Sequence, residues 1–200
     1  MTSPWFAYPA SLWLLLVAAA PLEAQQLPRI GLEAALVYAS VSGDDFQDTD
    51  AGLGWDGQVQ LGYRAVLLGL GYERSSHHND LLGEYVTATS VFVEPRFSLG
   101  RRSWAAIPYL AVRYSRTELS LDAFIPGLGS LAADQEGYLL LAGPGLSVAL
   151  ASKVRMELAL LYGKASFGTA KVNGQPLVNS ERRGSTFHAR AGLSLRTRRS

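Results

Sequence analysis

The side chains in this sequence that are best suited to do chemistry are ionisable groups separated by a single residue. Glu94 precedes Arg96 in this way. His188 precedes Arg190 with the same spacing. A spacing of two places both side chains on one face of a β-strand. Opposite charges on a shared face can pair, whereas an unpaired buried charge is very costly, so the pattern predicts a network of ion pairs.

Two histidine-containing segments could instead support metal binding or catalysis. His77 and His78 are adjacent, with Asp80 close by, but neighbouring loop residues diverge whereas metal ligands must converge on one point. We therefore expect a solvated loop there, without a metal or a cofactor. His188 could act as a base only beside a nucleophile, and Ser185 has the opposite strand parity. We expect no catalytic residues and no enzymatic activity.

The elements that must position these groups are β-strands, because apolar and polar residues alternate along most of the chain. The stretch "WDGQVQLGY", residues 55–63, shows this alternation most clearly. Such a period of two is typical of a strand with two different faces. We predict eight strands, at approximately Arg29–Ala39, Leu53–Tyr63, Val66–Arg74, Tyr85–Phe97, Ala106–Leu119, Gly137–Leu150, Lys153–Gly163 and Thr186–Leu195.

The connections between the predicted strands alternate strictly between short and long. Those after strands two, four and six are short, whereas those after strands one, three, five and seven are long, polar or rich in glycine. An even number of strands with short turns at one end and long loops at the other is typical of an outer-membrane barrel. We therefore predict an all-β fold, an eight-stranded antiparallel up-and-down transmembrane β-barrel.

The direction in which each face points follows from the cost of exposing charge to lipid. About ten residues tilted by about 40° rise about 25 Å, the height of the apolar band of such barrels. An Arg facing lipid at the midplane would cost about 2–4 kcal/mol, so the charged face must line the interior. The predicted interior charge network is Glu33, Asp56, Glu73, Glu94, Arg96, Arg113, Arg155, Glu157, His188 and Arg190. Outward tyrosines near the long loops predict an aromatic girdle of Tyr38, Tyr72, Tyr85, Tyr114 and Tyr162.

The composition excludes several classes of protein. Eighteen basic and seventeen acidic residues leave no excess of positive charge for binding nucleic acid. Without cysteine the chain has neither disulfides nor thiolate metal sites. The apolar run from Leu12 to Ala20 is too short for a spanning helix and is typical of an export signal. We expect residues 1–24 to be a cleaved signal peptide and residues 25–200 to form one barrel domain.

With this strand count, alternation and segregation of loops, the chain resembles the small OmpA/OmpX-type outer-membrane barrels of Gram-negative bacteria. The resemblance covers residues 25–197 and is architectural, without a diagnostic motif. It implies an outer-membrane location, insertion by the outer-membrane assembly machinery, long loops outside the cell and no dedicated catalysis. The chain departs from the family in lacking a terminal aromatic residue, and Arg196–Arg199 should trail into the periplasm.

The long loops carry the expectations about partners. Arg182 and Arg183 can pair with lipopolysaccharide phosphates or remain in a solvated loop. The third loop is unusually apolar and should fold over the barrel mouth or form a contact patch for an unknown extracellular partner. Its apolar residues are Phe124, Ile125, Pro126, Leu128 and Leu131. Asn173–Gly174 predicts a tight hairpin turn in the fourth loop.

These observations predict a monomeric outer-membrane protein in contact with lipid and lipopolysaccharide. Its barrel should present the outer loops for envelope integrity, adhesion or surface interaction, with little or no pore activity, because the narrow interior is filled by side chains. Two alternatives stay open. One is a secreted lipocalin-like barrel whose apolar face surrounds a ligand. The other is an outer-membrane enzyme that modifies lipid A.

Overall fold

The computed structural model describes residues 29–47, 49–80, 83–101, 104–125 and 129–197. The predicted signal peptide, residues 1–24, lies outside these ranges. Over the described residues the chain forms ten strands and one short 3₁₀ turn, Asp44–Phe46. The strands are β1 Arg29–Ser42, β2 Gly52–Tyr63, β3 Val66–Asn79, β4 Glu84–Ser98, β5 Ala106–Ile125, β6 Gly129–Ala149, β7 Val154–Phe167, β8 Lys171–Val172, β9 Gln175–Pro176 and β10 Arg182–Arg196.

Eight of the strands close into one barrel. From β1 to β7 each strand pairs antiparallel with the next, β7 pairs with β10, and β10 returns to pair with β1. The remaining strands, β8 and β9, form a two-stranded ribbon outside the wall. The predicted eight-stranded antiparallel up-and-down barrel is therefore confirmed. Within the described ranges, no helix has both the length and the apolar character needed to cross a membrane.

The two faces of each strand point as the sequence predicted. On β2, Val59 and Leu61 are 49% and 46% exposed, whereas Gln60 between them is 1% exposed. A period of two forces this division, because a shift of one residue would turn every leucine into the lumen. The outer surface of the barrel is consequently apolar and its interior is polar and charged.

Two prolines interrupt the ladders of the wall without changing their register. The β4–β5 ladder is broken at Pro95, between the pairs Val93–Tyr114 and Arg96–Ala111. The β6–β7 ladder is broken in the same way at Pro144. Proline cannot donate a backbone hydrogen bond, so the closed wall accommodates each one by omitting a bond rather than by inserting a bulge.

At one end of the barrel the strands continue well beyond their predicted limits. The second long connection was predicted to be a loop, but β3 runs on to Asn79 and β4 begins at Glu84, and the two strands are paired up to these residues. The third is likewise a hairpin, since β5 extends to Ile125 and β6 starts at Gly129. The side chains of Phe124, Ile125, Pro126, Leu128 and Leu131, on which its predicted contacts depend, lie outside the described part of the structure.

The fourth connection contains the predicted hairpin turn. Asn173 and Gly174 have φ of 49° and 80°, the left-handed conformation that a two-residue hairpin loop requires. Strand β8 pairs with β6 through Ala133 and Val172. Above the barrel, β5, β6, β8 and β9 consequently form a small four-stranded sheet on one side of the mouth. We refer to it as the outer sheet.

Candidate functional site

The centre of the lumen is organised around Arg113, a residue of β5 that is fully buried. Its Nε donates to Glu94 Oε2 at 2.5 Å, and its Nη1 donates to Glu73 Oε2 at 2.5 Å. Its Nη2 donates to Asp56 Oδ2 at 3.0 Å. The guanidinium also lies 3.7 Å from the ring centre of Phe92. One arginine therefore joins carboxylates from three other strands, while an aromatic face covers its plane.

A second arginine, Arg190 of β10, reaches the same carboxylates from the other side of the barrel. Its Nη1 donates to both oxygens of Glu94 at 3.1 Å. Its Nη2 donates to Glu33 Oε1 at 2.9 Å and to Asp56 Oδ1 at 3.0 Å. Because β4 and β10 lie on different sides of the closed wall, these bonds cross the lumen.

The third arginine, Arg96 of β4, makes a two-pronged contact with Glu33. Its Nη1 and Nη2 donate to the two carboxylate oxygens at 2.7 and 2.9 Å, and its Nε donates to Glu94 Oε1 at 2.6 Å. Gln60 Nε2 donates to the same Glu33 at 2.5 Å. The Arg96 guanidinium lies 5.1 Å from the ring centre of Tyr109, a residue that the sequence reasoning did not select.

These groups form one connected cluster, which we call the central plug. It comprises Glu33, Asp56, Glu73, Glu94, Arg96, Arg113 and Arg190. Three guanidinium groups face four carboxylates, a formal charge of −1. Removing one partner of such a buried network typically costs about 3–5 kcal/mol, because the remaining charges are left without compensation. All seven were among the ten predicted interior residues.

The remaining three predicted residues surround the plug. His188 lies on its outer side, with Nδ1 3.5 Å from Glu73 Oε1. Glu157 lies toward the short turns, where it accepts bonds from Ser147, Ser194 and Arg196 at 2.7–2.8 Å. The third, Arg155, also lies at that end and has its own partners.

Arg155 is only half-buried, and it does not take part in an ion-pair network as the sequence predicted. Its Nε and Nη2 donate to the hydroxyl and the carbonyl of Ser147 at 2.7 Å, and among the described residues it has no ion-pair partner. Arg196 was predicted to trail away from the barrel, and this was wrong. It belongs to β10 and pairs with Glu157 at 2.7 Å. Leu195 points outward, so the next residue turns in, a signal already present in the sequence.

His77 was predicted to lie in a solvated loop, and this was also wrong. It is buried on the inner face of β3, where its Nδ1 lies 3.1 Å from the carbonyl oxygen of Asp50 and its Nε2 3.0 Å from Ser75 Oγ. Because a carbonyl can only accept, Nδ1 carries the proton. Burial lowers the pKa of His77 below its usual value. His78 points outward, 3.7 Å from Asp80, and nowhere in the described ranges do three potential metal ligands gather.

The two arginines proposed to contact lipopolysaccharide separate to opposite faces of β10. Arg182 points toward the mouth, 5.8 Å from the ring centre of Phe46. Arg183 points outward and lines a surface groove with Lys164 and Ser185. The same alternation sends Ser185 outward and His188 inward, so the two residues are on different faces of the wall.

The aromatic girdle contains most of the predicted tyrosines but not all of them. Tyr72 pairs with Val91, so Tyr85 lies higher on β4, beside His78 at a ring distance of 5.2 Å. Tyr85 is therefore part of the outer hairpin rather than the girdle. Tyr138, which was not selected, stacks on Tyr114 at 5.9 Å.

Comparison with known proteins shows similarity at the level of structure. No family model and no curated protein matches the sequence. Among solved structures, Neisserial surface protein A is 18% identical with a TM-score of 0.57, over 84% of this chain and 96% of that one. A major outer membrane protein of Thermus thermophilus is 12% identical with a TM-score of 0.58, over 86% and 100%. The attachment invasion locus protein of Yersinia pestis is 11% identical with a TM-score of 0.55, over 86% and 100%.

At these identities the similarity establishes the fold alone. The three matched proteins are small barrels, and this chain covers nearly the whole of each. The predicted resemblance to the OmpA/OmpX-type proteins is confirmed in the same sense. The chain has the fold of the small eight-stranded outer-membrane barrels.

Proposed function

We propose that the protein is an integral protein of the bacterial outer membrane, whose sealed barrel holds an extracellular platform for surface interaction. The observation that carries this proposal is the inverted polarity of the wall, with leucines outside and a charged plug inside. The twelve residues of β2, rising about 3.4 Å each and tilted by about 40°, span about 30 Å along the barrel axis. That height matches the apolar thickness of a bilayer.

The rim of the apolar band supports contact with lipopolysaccharide. A cation follows each of three girdle tyrosines by two residues and so points outward with it. The three pairs are Tyr72–Arg74, Tyr114–Arg116 and Tyr162–Lys164. Arg183 lies beside Lys164 in the outward groove. Amphipathic rings favour the membrane interface, and cations directly above them suit anionic headgroups.

The central plug supports a barrel without a solute path. Its arginines and carboxylates reach across the lumen from six strands, and each of its seven side chains is buried. An interior of eight strands is just wide enough to be filled by side chains. We therefore propose that the barrel is a monomeric support, inserted by the outer-membrane assembly machinery, and not a pore.

The outer sheet supports the role in interaction. Strands β5 and β6 have 20 and 21 residues, well beyond the twelve of β2. Gln135 Nε2 donates to the carbonyls of Gly168 and Ser180, which fastens the third connection to the fourth. A projecting sheet held together in this way presents a fixed surface. The attachment invasion locus protein, named for attachment, is built on the same fold.

The structure bears differently on the two alternatives, the lipocalin-like barrel and the lipid A-modifying enzyme. A lipocalin-like barrel needs its apolar face inside, and Val59 and Leu61 are outside, so that alternative is wrong. For the lipid A-modifying alternative, the placement of His188 and Ser185 on opposite faces favours a protein without catalysis. Analysis of lipid A by mass spectrometry after expression tests this second point, since a changed acyl pattern would contradict it.

The absence of cysteine allows a direct test of location and orientation. Lys171→Cys places a single thiol in the outer sheet, and Lys153→Cys places one in a short turn at the opposite end. A membrane-impermeant maleimide should label the first variant on intact cells and the second only after lysis. Labelling of both, or of neither, on intact cells would contradict the proposal, as would recovery of the unmodified protein as a soluble monomer without detergent.

A further inference from the structure

The lumen is packed very differently on the two sides of the central plug. Toward the short turns it is filled by the bonded groups around Glu157. Toward the outer sheet the inward residues become small or apolar, and they surround a chamber of about 590 Å³, counting the part that is open to solvent. Ala39, Ala88 and Leu139 contribute to its walls. We call this space the mouth chamber.

The roof of the mouth chamber is an aromatic ring supplied by the first connection. Phe46, at the end of the 3₁₀ turn, is buried and meets Phe167 edge to face at 5.9 Å. The turn that holds it has only three residues. The chain's own phenyl group therefore occupies the outer part of the chamber, which shows that an aromatic ring is accommodated against Phe167.

The floor of the mouth chamber is polar. His188 and Glu73 line it, and Ser90 and Thr117 contribute hydroxyl groups that bond each other at 2.7 Å. His188 is 3% exposed, and its Nδ1 makes no hydrogen bond within the described residues, although Glu73 Oε1 lies 3.5 Å away. A buried nitrogen with only this long contact is poorly satisfied, and a ligand hydroxyl could bond it.

From this combination we infer that the mouth chamber binds a small neutral aromatic molecule with a single hydroxyl group. The ring lies against Phe167 in place of the Phe46 side chain, and the hydroxyl group reaches His188. A charged ligand is not favoured, because the lining carries both an acidic and a basic group, Glu73 and Arg182, and so offers no net charge to compensate for lost hydration. The cavity volume that a water-sized sphere can occupy is about 50 Å³, below the about 150 Å³ of an engineered cavity that accepts benzene, so binding requires Phe46 to move aside.

The three histidines of the chain provide a test with an internal control. His77 and His188 line the mouth chamber, whereas His78 points outward beside Tyr85. Phenol is titrated into protein labelled with ¹³C,¹⁵N-histidine in detergent micelles, and the ring signals are followed by NMR. Saturable shifts are expected for His77 and His188, and none for His78. No saturation, or an equal shift of all three, would overturn the inference.

Substitutions at the roof and at the wall separate specific binding from uptake by the micelle. Phe46→Ala removes the competing ring and should tighten binding by about threefold to tenfold. Ala39→Phe fills the chamber and should abolish binding, whereas Ala34→Phe places the same ring on the outer face of β1 and should have no effect. Should Ala39→Phe fail to fold, Ala39→Val must weaken binding. Equal affinities for the Ala39 and Ala34 variants would refute the site.

Discussion

Removing arginines from the central plug should give the barrel a cation-selective conductance. Arg113 and Arg190 supply most of the bonds that cross the lumen, to Asp56, Glu73 and Glu94 among others. Replacing both arginines with serine leaves one guanidinium opposite four carboxylates. The formal charge of the plug then changes from −1 to −3. Arg155 would be a less informative choice than Arg190 for the second substitution, because its bonds lie at the short-turn end of the barrel and do not cross the lumen.

The magnitude of the perturbation determines how the variants must be prepared. Loss of each buried partner costs about 3–5 kcal/mol, against a total stability of about 5–15 kcal/mol for an ordinary soluble domain. The double variant is therefore expected to be strongly destabilised. Its folding must be established first, by heat-modifiability on a gel, and Arg113→Ser alone provides a milder second variant.

The assay is single-channel conductance in planar bilayers, with the reversal potential measured in a salt gradient. The wild type should conduct little, and the Arg113→Ser/Arg190→Ser variant should conduct with selectivity for cations. The control is Arg113→Met/Glu94→Met, which keeps the volume of the side chains and a formal charge of −1. Buried ion pairs often tolerate such a change, and conductance should stay low. A folded double serine variant with the conductance of the wild type would refute the reasoning.

Three further predictions follow from the ends of the barrel. Arg155→Ala, at the rim, should lower the thermal midpoint of unfolding far less than Arg113→Ala, and equal losses would contradict the assigned positions. Lys164→Gln/Arg183→Gln should reduce lipopolysaccharide retained on purification, whereas Arg182→Gln, which points toward the mouth, should not. Burial lowers the pKa of His77 from its usual 6.5, so its contribution to the free energy of unfolding is full above about pH 6.5 and declines as the pH falls toward the pKa of the folded state. His77→Gln should remove that decline. Hydrogen exchange of backbone amides at several pH values, in segments without histidine, measures it.

The strand parity was predictable because lipid and lumen impose opposite demands on adjacent residues. Along β2, Trp55, Val59 and Leu61 alternate with Asp56 and Gln60, so one sequence pattern determines both faces. That a side chain faces the lumen followed from parity alone. The height of a residue along the barrel did not, which is why Arg155 was grouped with Arg113 although the two lie at different levels.

The outer hairpins could not be recognised from the sequence for a physical reason. Beyond the girdle both faces of a strand meet water or the mouth chamber, so the apolar alternation that marks a strand disappears. The stretch "SSHHND" therefore looks like a loop, although Ser75–Asn79 continues β3 in full register with β4. The place of Phe46 was equally hidden, because a three-residue turn carries no period and its ring is fixed by contact with Phe167 from a distant part of the chain.

The glycines of the inner face explain how so many large groups fit into one narrow lumen. A Cβ atom at Gly145 would collide with the ring of Tyr109, and one at Gly71 would collide with the ring of Phe92. These are the two rings that lie against Arg96 and Arg113. Arg96 and Arg113 thus each lie beside an aromatic ring, and each of these two rings packs against a glycine on a neighbouring strand. The size of the inward-facing side chains therefore determines both the tight packing of the plug and the space in the mouth chamber. The chamber begins where long charged side chains are followed along the strands by alanine, serine and threonine.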